Sequence, residues 1–443
     1  MRPIEKLTFE AIVRRLRSQF ESLERQEQPA SYDYQLSDVL MSGFAMLFFQ
    51  DPSLLAFQER MLRKQQRCNL QTMFGVRVVP KDTQLRERLD EVSGEGVRLL
   101  LPAMFEQVRR TGWAREWLTE VSAGGEAGAY YVMALDGSDY FSSAALHCQN
   151  CLVRKDACGE LHYRHTVVAA TLVKSGKRLI LPFDAEVCSP QDGAEKQDCE
   201  LQAGKRLVRR VRREHPHLAL VVTGDDLYSH VPFVQECEKA RLHYVLVAKP
   251  DSHKELSEWV EELEQLQETV KVAWQVGAAC QRKFYQARIA RAVPLRADET
   301  MTVTFVEVWE QDKEGRAVYH NSFVTDLEVT ERNVSEIVAI GRAKWKIENE
   351  QFNIQKNHGY HLAHNFGHGQ QNLSAVFYYL NLLAYLVHTI LERGDKEFQK
   401  ARATVSSRAR FWEELRTLMR RLLWESWHHL MEFVGNEELA SSP

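Results

Sequence analysis

The segment YYVMALDGSDYFSS, residues 130–143, decides the fold, because here helical spacing gives way to a run of aromatic and β-branched residues that stops at an acid, Asp136. Two similar runs follow, HTVVAATLVK at 165–174 and RLILPFDAEVC at 178–188, the pair separated by the turn SGK. Three sequential antiparallel strands are expected. Beyond them lie a helix, CELQAGKRLVRRVRREH, a buried-type strand, LALVVTG, a helix from about Pro232 to Ala240, and a strand, HYVLVAKP. Antiparallel strands followed by alternating helices and strands predict an α/β fold with a mixed sheet flanked by helices.

Residues 1–128 have apolar positions at three- and four-residue intervals and read as a helical N-terminal domain that ends at the break AGGEAG. The core occupies 129–250. Residues 251–330 change to a charged helix and then strand-like segments such as MTVTFVEVWEQ, which reads as a β-rich insertion. Helices resume over 331–395, and 396–443 form a basic helical tail.

A chain of 443 residues with net charge −4 and pI near 6.5 does not suggest a nucleic-acid binder by its totals, so local charge must decide. Eight cysteines are too few for a disulfide scaffold, and the charged start MRPIEKLTFEAIVRRLRSQF lacks the apolar core of a signal peptide. A reducing, cytoplasmic setting is expected. The most apolar run, SAVFYYLNLLAYLVHTIL, contains Asn381 and His388 and reads as a buried helix, with no membrane partner.

Asp136 in MALDGSD and Asp225 in VVTGDD both end strand-like runs, where an acid is most often an ordinary turn or cap residue. A third acid, Glu348, lies in GRAKWKIENEQF on a late helix. Converging carboxylates repel one another, and a hard divalent cation such as Mg²⁺ (or Mn²⁺) would relieve that repulsion. Two such ions can activate an attacking oxygen and stabilise a leaving one on a phosphodiester.

Together, LDGSD, VVTGDDLYSH and GRAKWKIENEQF resemble the DDE transposases of bacterial insertion sequences, in particular the cut-and-paste group, and the likeness extends to DVLMSGFAMLFFQDPSLLAF and HNFGHG. The resemblance implies a ribonuclease-H-like catalytic domain with a β-rich insertion before the glutamate helix. It also implies that Asp136, Asp225 and Glu348 bind the metal, which activates water to cut the element end; the freed 3′-hydroxyl then attacks target DNA. The implied partners are terminal inverted repeats, target DNA and a second protomer. The group has a tyrosine seven residues before the glutamate, an arginine four before and a lysine seven after. Here those places hold Gly341, Lys344 and Gln355, with Lys356 one residue late. Glu350 remains a rival third ligand, and Asp226 and Asp139 are rivals for their neighbours' roles.

On this reading Lys344 and Lys356 face phosphates, Arg342 and Lys346 add positive charge, and Trp345 and Phe352 pack the helix to the sheet. The bland alternative is a surface helix carrying an i,i+4 pair between Lys344 and Glu348. In KRLVRRVRREH, Arg206, Arg209, Arg210 and Arg213 form a cationic stripe opposite Leu207, Val208 and Val211, suited to phosphate or to solvent. The tail interleaves Arg402, Arg408, Arg410, Arg416, Arg420 and Arg421 with Trp412 and Trp424, for DNA contact or for packing.

Cys148, Cys151, Cys158, His162 and His165 offer zinc ligands between the first two strands, although an unmetallated hairpin loop is the plainer reading. In NHGYHLAHNFGHG, four histidines and tight glycine turns point to phosphate contact or a hydrogen-bond network more than to a metal. Two other functions compete with transposition: a transposase-derived DNA-binding regulator without strand transfer, and a nuclease that cuts without joining.

Overall fold

The computed structural model describes residues 7–26, 34–61, 68–123, 126–192, 196–277, 282–296 and 301–436. It is an α/β protein built on one large mixed sheet with many helices around it. The strands are β1 (Leu118–Ala123), β2 (Glu126–Ser143), β3 (Leu152–Lys155), β4 (Leu161–Val173), β5 (Leu181–Val187), β6 (Leu220–Gly224), β7 (His243–Val247), β8 (Val270–Val276), β9 (Lys283–Pro294), β10 (Thr302–Gln311) and β11 (Ala317–Thr325). Their order is β3-β4-β2-β6-β7-β11-β10-β9-β8, with β1 on β2 and β5 on β4.

The runs around Asp136 and those that follow it form β2, β4 and β5, each antiparallel to its neighbour. On its other side β2 pairs with β6 in parallel, and β6 pairs with β7 in parallel. Both β6 and the centre of β4 are buried, which accounts for continuous apolar runs where a half-exposed strand would alternate. The helix Lys196–Glu214 supplies the return from β5 to parallel β6 and packs on β4 and β5.

One expectation changes and two others take a definite form. Residues 118–123, read as part of the helical region, form β1 because they zip onto β2 from Leu118 opposite Tyr131 to Ala123 opposite Glu126. The β-rich segment at 251–330 is continuous with the core sheet, since Phe323, Val324 and Thr325 pair with Val247, Leu246 and Val245. The basic tail is a packing element. Asn69 Nδ2 donates to the carbonyls of Met419 and Leu422 at 2.9 Å each, and the rings of Phe9 and Trp427 stack at 4.3 Å.

The long apolar helix, Leu373–Gly394, lies at the centre of this helical layer, with 89% of its most apolar window buried inside the protein. Helices Leu36–Phe48, Asp82–Glu91 and Gly94–Arg98 pack on it, and β5 touches it from the sheet. Its Asn381 is satisfied internally, accepting from Gln355 Nε2 at 3.0 Å and donating to the Tyr360 carbonyl at 2.8 Å. His388 accepts or donates at Tyr360 Oη, 2.6 Å away.

Candidate functional site

Parallel pairing places the two aspartates. Ala134 of β2 is opposite Thr223 of β6, so Asp136, within β2 and opposite Ala169 of β4, and Asp225, just past the end of β6, lie in phase two residues further on. Adjacent strands are about 4.8 Å apart, and β2 lies between an antiparallel neighbour, β4, and a parallel one, β6. Gly137 and Gly224 flank the acids. A Cβ on Gly137 would strike the Glu200 carboxylate, and one on Gly224 would lie 2.8 Å from the Tyr228 ring.

The third acid arrives on a distorted helix. After Val334–Arg342 the backbone passes through a π-helical segment, Ile347–Phe352, before resuming as Asn353–Asn357. A π turn takes in one extra residue and leaves a carbonyl without its usual partner. The Glu350 carbonyl accepts from the buried Tyr385 hydroxyl, and Gln351 pairs with Thr171 of β4, which fastens the turn to the sheet.

The extra residue also accounts for the displaced lysine. Eight residues through a π turn cover roughly the rotation of seven in a regular α-helix, so Lys356 returns to the face of Glu348. Its Nζ donates to Ser138 Oγ at 2.7 Å, on the strand that carries Asp136. Gly341 has a separate cause, because any Cβ there would enter the ring of Phe323.

Lys344 joins the three acids. Its Nζ lies 3.6 Å from Asp136 Oδ1 and 4.0 Å from Asp225 Oδ2, and it donates to Glu348 Oε1. One ammonium therefore faces three carboxylates, with Glu200 adding a fourth negative charge close to Asp136. Burial foremost, with Asp225, Glu348 and Glu200, pushes the Asp136 carboxyl up to about 7 against the downward pull of Lys344. Asp225 is likewise raised, first by burial. The Lys344 ammonium is opposed by burial, yet Asp136, Glu348 and Asp225 hold its pKa above the usual value. Although 43% of the Asp225 side chain is accessible, its Oδ1 is buried without a hydrogen-bond partner.

The rivals have other work. Glu350 lines an open cleft of about 1190 Å³ with Lys177, Arg178, Asn353 and Arg402, away from the Lys344 cluster. Asp226 accepts from the backbone N–H of Lys249 and from Ser252 Oγ. Asp139 accepts from Arg164 at 2.9 Å and from Thr166 Oγ1 at 2.5 Å.

Several cations expected on phosphate are engaged inside the fold. Arg342 pairs with Glu310 and lies over the Tyr319 ring at 4.1 Å. Lys346 is buried, donates to the Lys177 carbonyl at 2.9 Å and has its pKa lowered by burial. The arginine stripe faces a second set of acids: Arg206 pairs with Glu186 and Asp192, Arg209 with Glu236, and buried Arg210 with Asp184 and Glu186. Arg213 alone of the four is exposed without an ion pair within 4 Å among those described. Phe352 is buried as expected of a packing residue, but Trp345 is 47% exposed. In the tail, Trp412 and Trp424 are buried, Arg408 pairs with Glu392, and Arg416 donates to the carbonyls of Phe49 and Gln50.

Among the described residues, the soft-ligand set that converges is Cys148, Cys151, His165 and His368, whose ligand atoms all lie within 4.8 Å of one another and could hold a metal such as zinc. Cys158 is exposed and outside this group, and His162 contacts Asp156 at 3.3 Å. His368 was the ligand that sequence spacing missed. The Cys148 thiol is held down by its hydrogen bond with Cys151 and by the two imidazoles, whereas the Cys151 thiol is pushed up by Cys148 and by burial.

Compared with known proteins, the sequence matches no family model and no curated relative.

Proposed function

We propose that the chain is a metal-dependent DNA transposase of the DDE type, cutting at element ends and joining the 3′-hydroxyl to target DNA. One observation carries this reading: Asp136 within β2 and Asp225 just past β6 lie in phase on adjacent parallel strands, and a distant helix brings Glu348 to the same ammonium. The strand arrangement also supports a ribonuclease-H-like core, since three antiparallel strands, β5, β4 and β2, continue into two parallel neighbours, β6 and β7.

The donor set fits a hard cation. All the acids present carboxylate oxygen, one of them has a buried unpartnered atom, and the single lysine leaves negative charge in excess. Asp136, Asp225 and Glu348 would hold Mg²⁺ or Mn²⁺, which when bound would polarise the phosphodiester and lower the pKa of the attacking hydroxyl. Lys344 keeps the carboxylates together by charge and, with Lys356, offers an ammonium to a phosphate on the scissile strand. Asp136 must be ionised to serve as a ligand, so its raised pKa places metal binding near and above neutral pH. A second protomer and the inverted repeats belong to this same reading.

The experiment uses linear DNA bearing the inverted repeats that flank the coding region, a target plasmid, Mg²⁺, and the Asp136→Ala, Asp225→Ala and Glu348→Ala variants. Nicking and joined products from the wild type, lost in all three variants, are expected. End binding without cleavage would replace the reading with the regulator, and cleavage without joining would replace it with the nuclease.

A further inference from the structure

The loop between β2 and β3, the strand β4 and the segment before the long apolar helix meet at four side chains with no part in the carboxylate site. Cys148 and Cys151 come from the loop, His165 from β4, and His368 from a position 217 residues beyond Cys151. Cys148 Sγ and Cys151 Sγ are 3.9 Å apart, far beyond the roughly 2.05 Å of a disulfide. His165 Nε2 is 3.5 Å from each sulfur, and His368 Nε2 is 3.4 Å from Cys151 Sγ.

These separations have a simple geometric meaning. With Zn–S near 2.3 Å and Zn–N near 2.05 Å, a tetrahedral ion spaces its sulfurs about 3.8 Å apart and each sulfur about 3.6 Å from each nitrogen. The measured edges match those of that tetrahedron. Two thiolates and two imidazoles are the soft, mixed set that favours zinc, and four protein ligands would leave no open position for a substrate.

The surroundings suit a closed site. Cys151, His165 and His368 are buried and Cys148 half-buried. The backbone N–H of Cys148 donates to Cys151 Sγ at 3.4 Å, a bond that would favour a thiolate on a bound ion. Phe141 stacks on the His368 ring at 4.2 Å and Tyr140 on His165 at 5.7 Å, so both imidazoles are held by ring faces. Neither Nδ1 has a protein acceptor, which leaves ring stacking as the main device orienting the Nε2 atoms.

We propose that Cys148, Cys151, His165 and His368 bind one Zn²⁺ as a structural clasp that fastens the hairpin loop to the segment leading into the long apolar helix. Two polar ties fall on the same segment: Asn150 Nδ2 donates to the Gln371 carbonyl at 2.7 Å, and the Asp90 carboxylate accepts the N–H groups of residues 370–373. The clasp would therefore act beside contacts already in place, and the metal-free protein would keep its fold. It is independent of the carboxylate site, which lies on other residues and calls for a harder ion.

The test is made on the full chain, purified without chelator and again after zinc removal, with folding followed by circular dichroism. About one zinc per chain is expected by elemental analysis. Metal-free wild type should take up one Co²⁺ with the sulfur-to-cobalt absorption and intense visible bands of a tetrahedral thiolate site. Cys148→Ser and His368→Ala should lose that spectrum, while Cys158→Ser and His162→Ala should keep it. Asp136→Ala should also keep it, even if every DNA assay fails, so the two readings fall separately. A folded wild type that binds no stoichiometric zinc or gives only a weak octahedral cobalt spectrum overturns the clasp. So does full retention in His368→Ala with loss in Cys158→Ser or His162→Ala, which would move the ion onto the hairpin alone.

Discussion

Replacing Asp136 with Asn should stabilise the protein more at pH 8 than at pH 5. The Asp136 carboxyl is 13% exposed and titrates near 7, against 3.8 for the ordinary group. Between those values the folded state binds more protons than the unfolded state, so this group lowers stability as pH rises. The loss begins near pH 4 and is complete above about 7. At 1.36 kcal/mol per pH unit, the interval corresponds to roughly 4 kcal/mol at pH 8. Asn removes the buried charge but also its attraction to Lys344, so about 2–4 kcal/mol of that is expected to return. With an unfolding entropy of about 2.1 cal/mol/K for each of 443 residues, this amounts to an increase in Tm of about 2–4 °C. Differential scanning fluorimetry of both proteins at pH 5 and pH 8, without added divalent ion, measures it. A variant that melts below wild type at pH 8, or whose advantage does not change between the two pH values, refutes the reasoning.

Three further outcomes follow from the same geometry. Glu348→Gln should abolish Mg²⁺-dependent cleavage, whereas Glu350→Gln, on the other cleft, should stay within a few-fold of wild type in the same gel assay. Lys344→Met leaves three carboxylates without their shared cation, so Mg²⁺ should raise its melting temperature more than that of wild type; equal shifts would show that Lys344 and the metal do not share the site. Arg210→Met removes one of two arginine partners from each of Asp184 and Glu186, which keep Arg98 and Arg206, and should cost about 2 kcal/mol by urea unfolding, while exposed Arg213→Met should cost less than about 0.5 kcal/mol.

The strands around Asp136 and Asp225 were legible from their aromatic and β-branched runs, but only Asp225 follows a strand end; Asp136 lies inside β2, which continues to Ser143 opposite β4. Strand β1 was hidden, since LTEVSA has no pattern of its own and becomes a strand only by pairing with β2. The position of Lys356 defeated a ruler of 100° per residue because the π turn, stabilised by Tyr385 and Thr171 from elsewhere, is a tertiary feature. The arginine stripe is legible as one helical face, but its acid partners lie on other elements. Asp184 and Glu186 alternate along an otherwise apolar strand, and that pairing signal was available in RLILPFDAEVC. His368 lay beyond local spacing altogether: nothing in a Cys-x-x-Cys loop points to one histidine 217 residues away.

The interlocking of early and late helices bears on how the chain is made. The backbone N–H of Phe9 donates to Asp395, 386 residues later, and Asn69 is satisfied only by residues 419–424. At about 5–20 residues per second of synthesis, the first helix waits roughly 20–80 s for its partner. Throughout that time Phe9, Phe48 and Phe49, which finally pack against Trp427, lack that cover on the ribosome. Completion of this layer therefore waits for residues 395–427, and a nascent chain stalled before residue 395 should be a client for chaperones that shield aromatic surface.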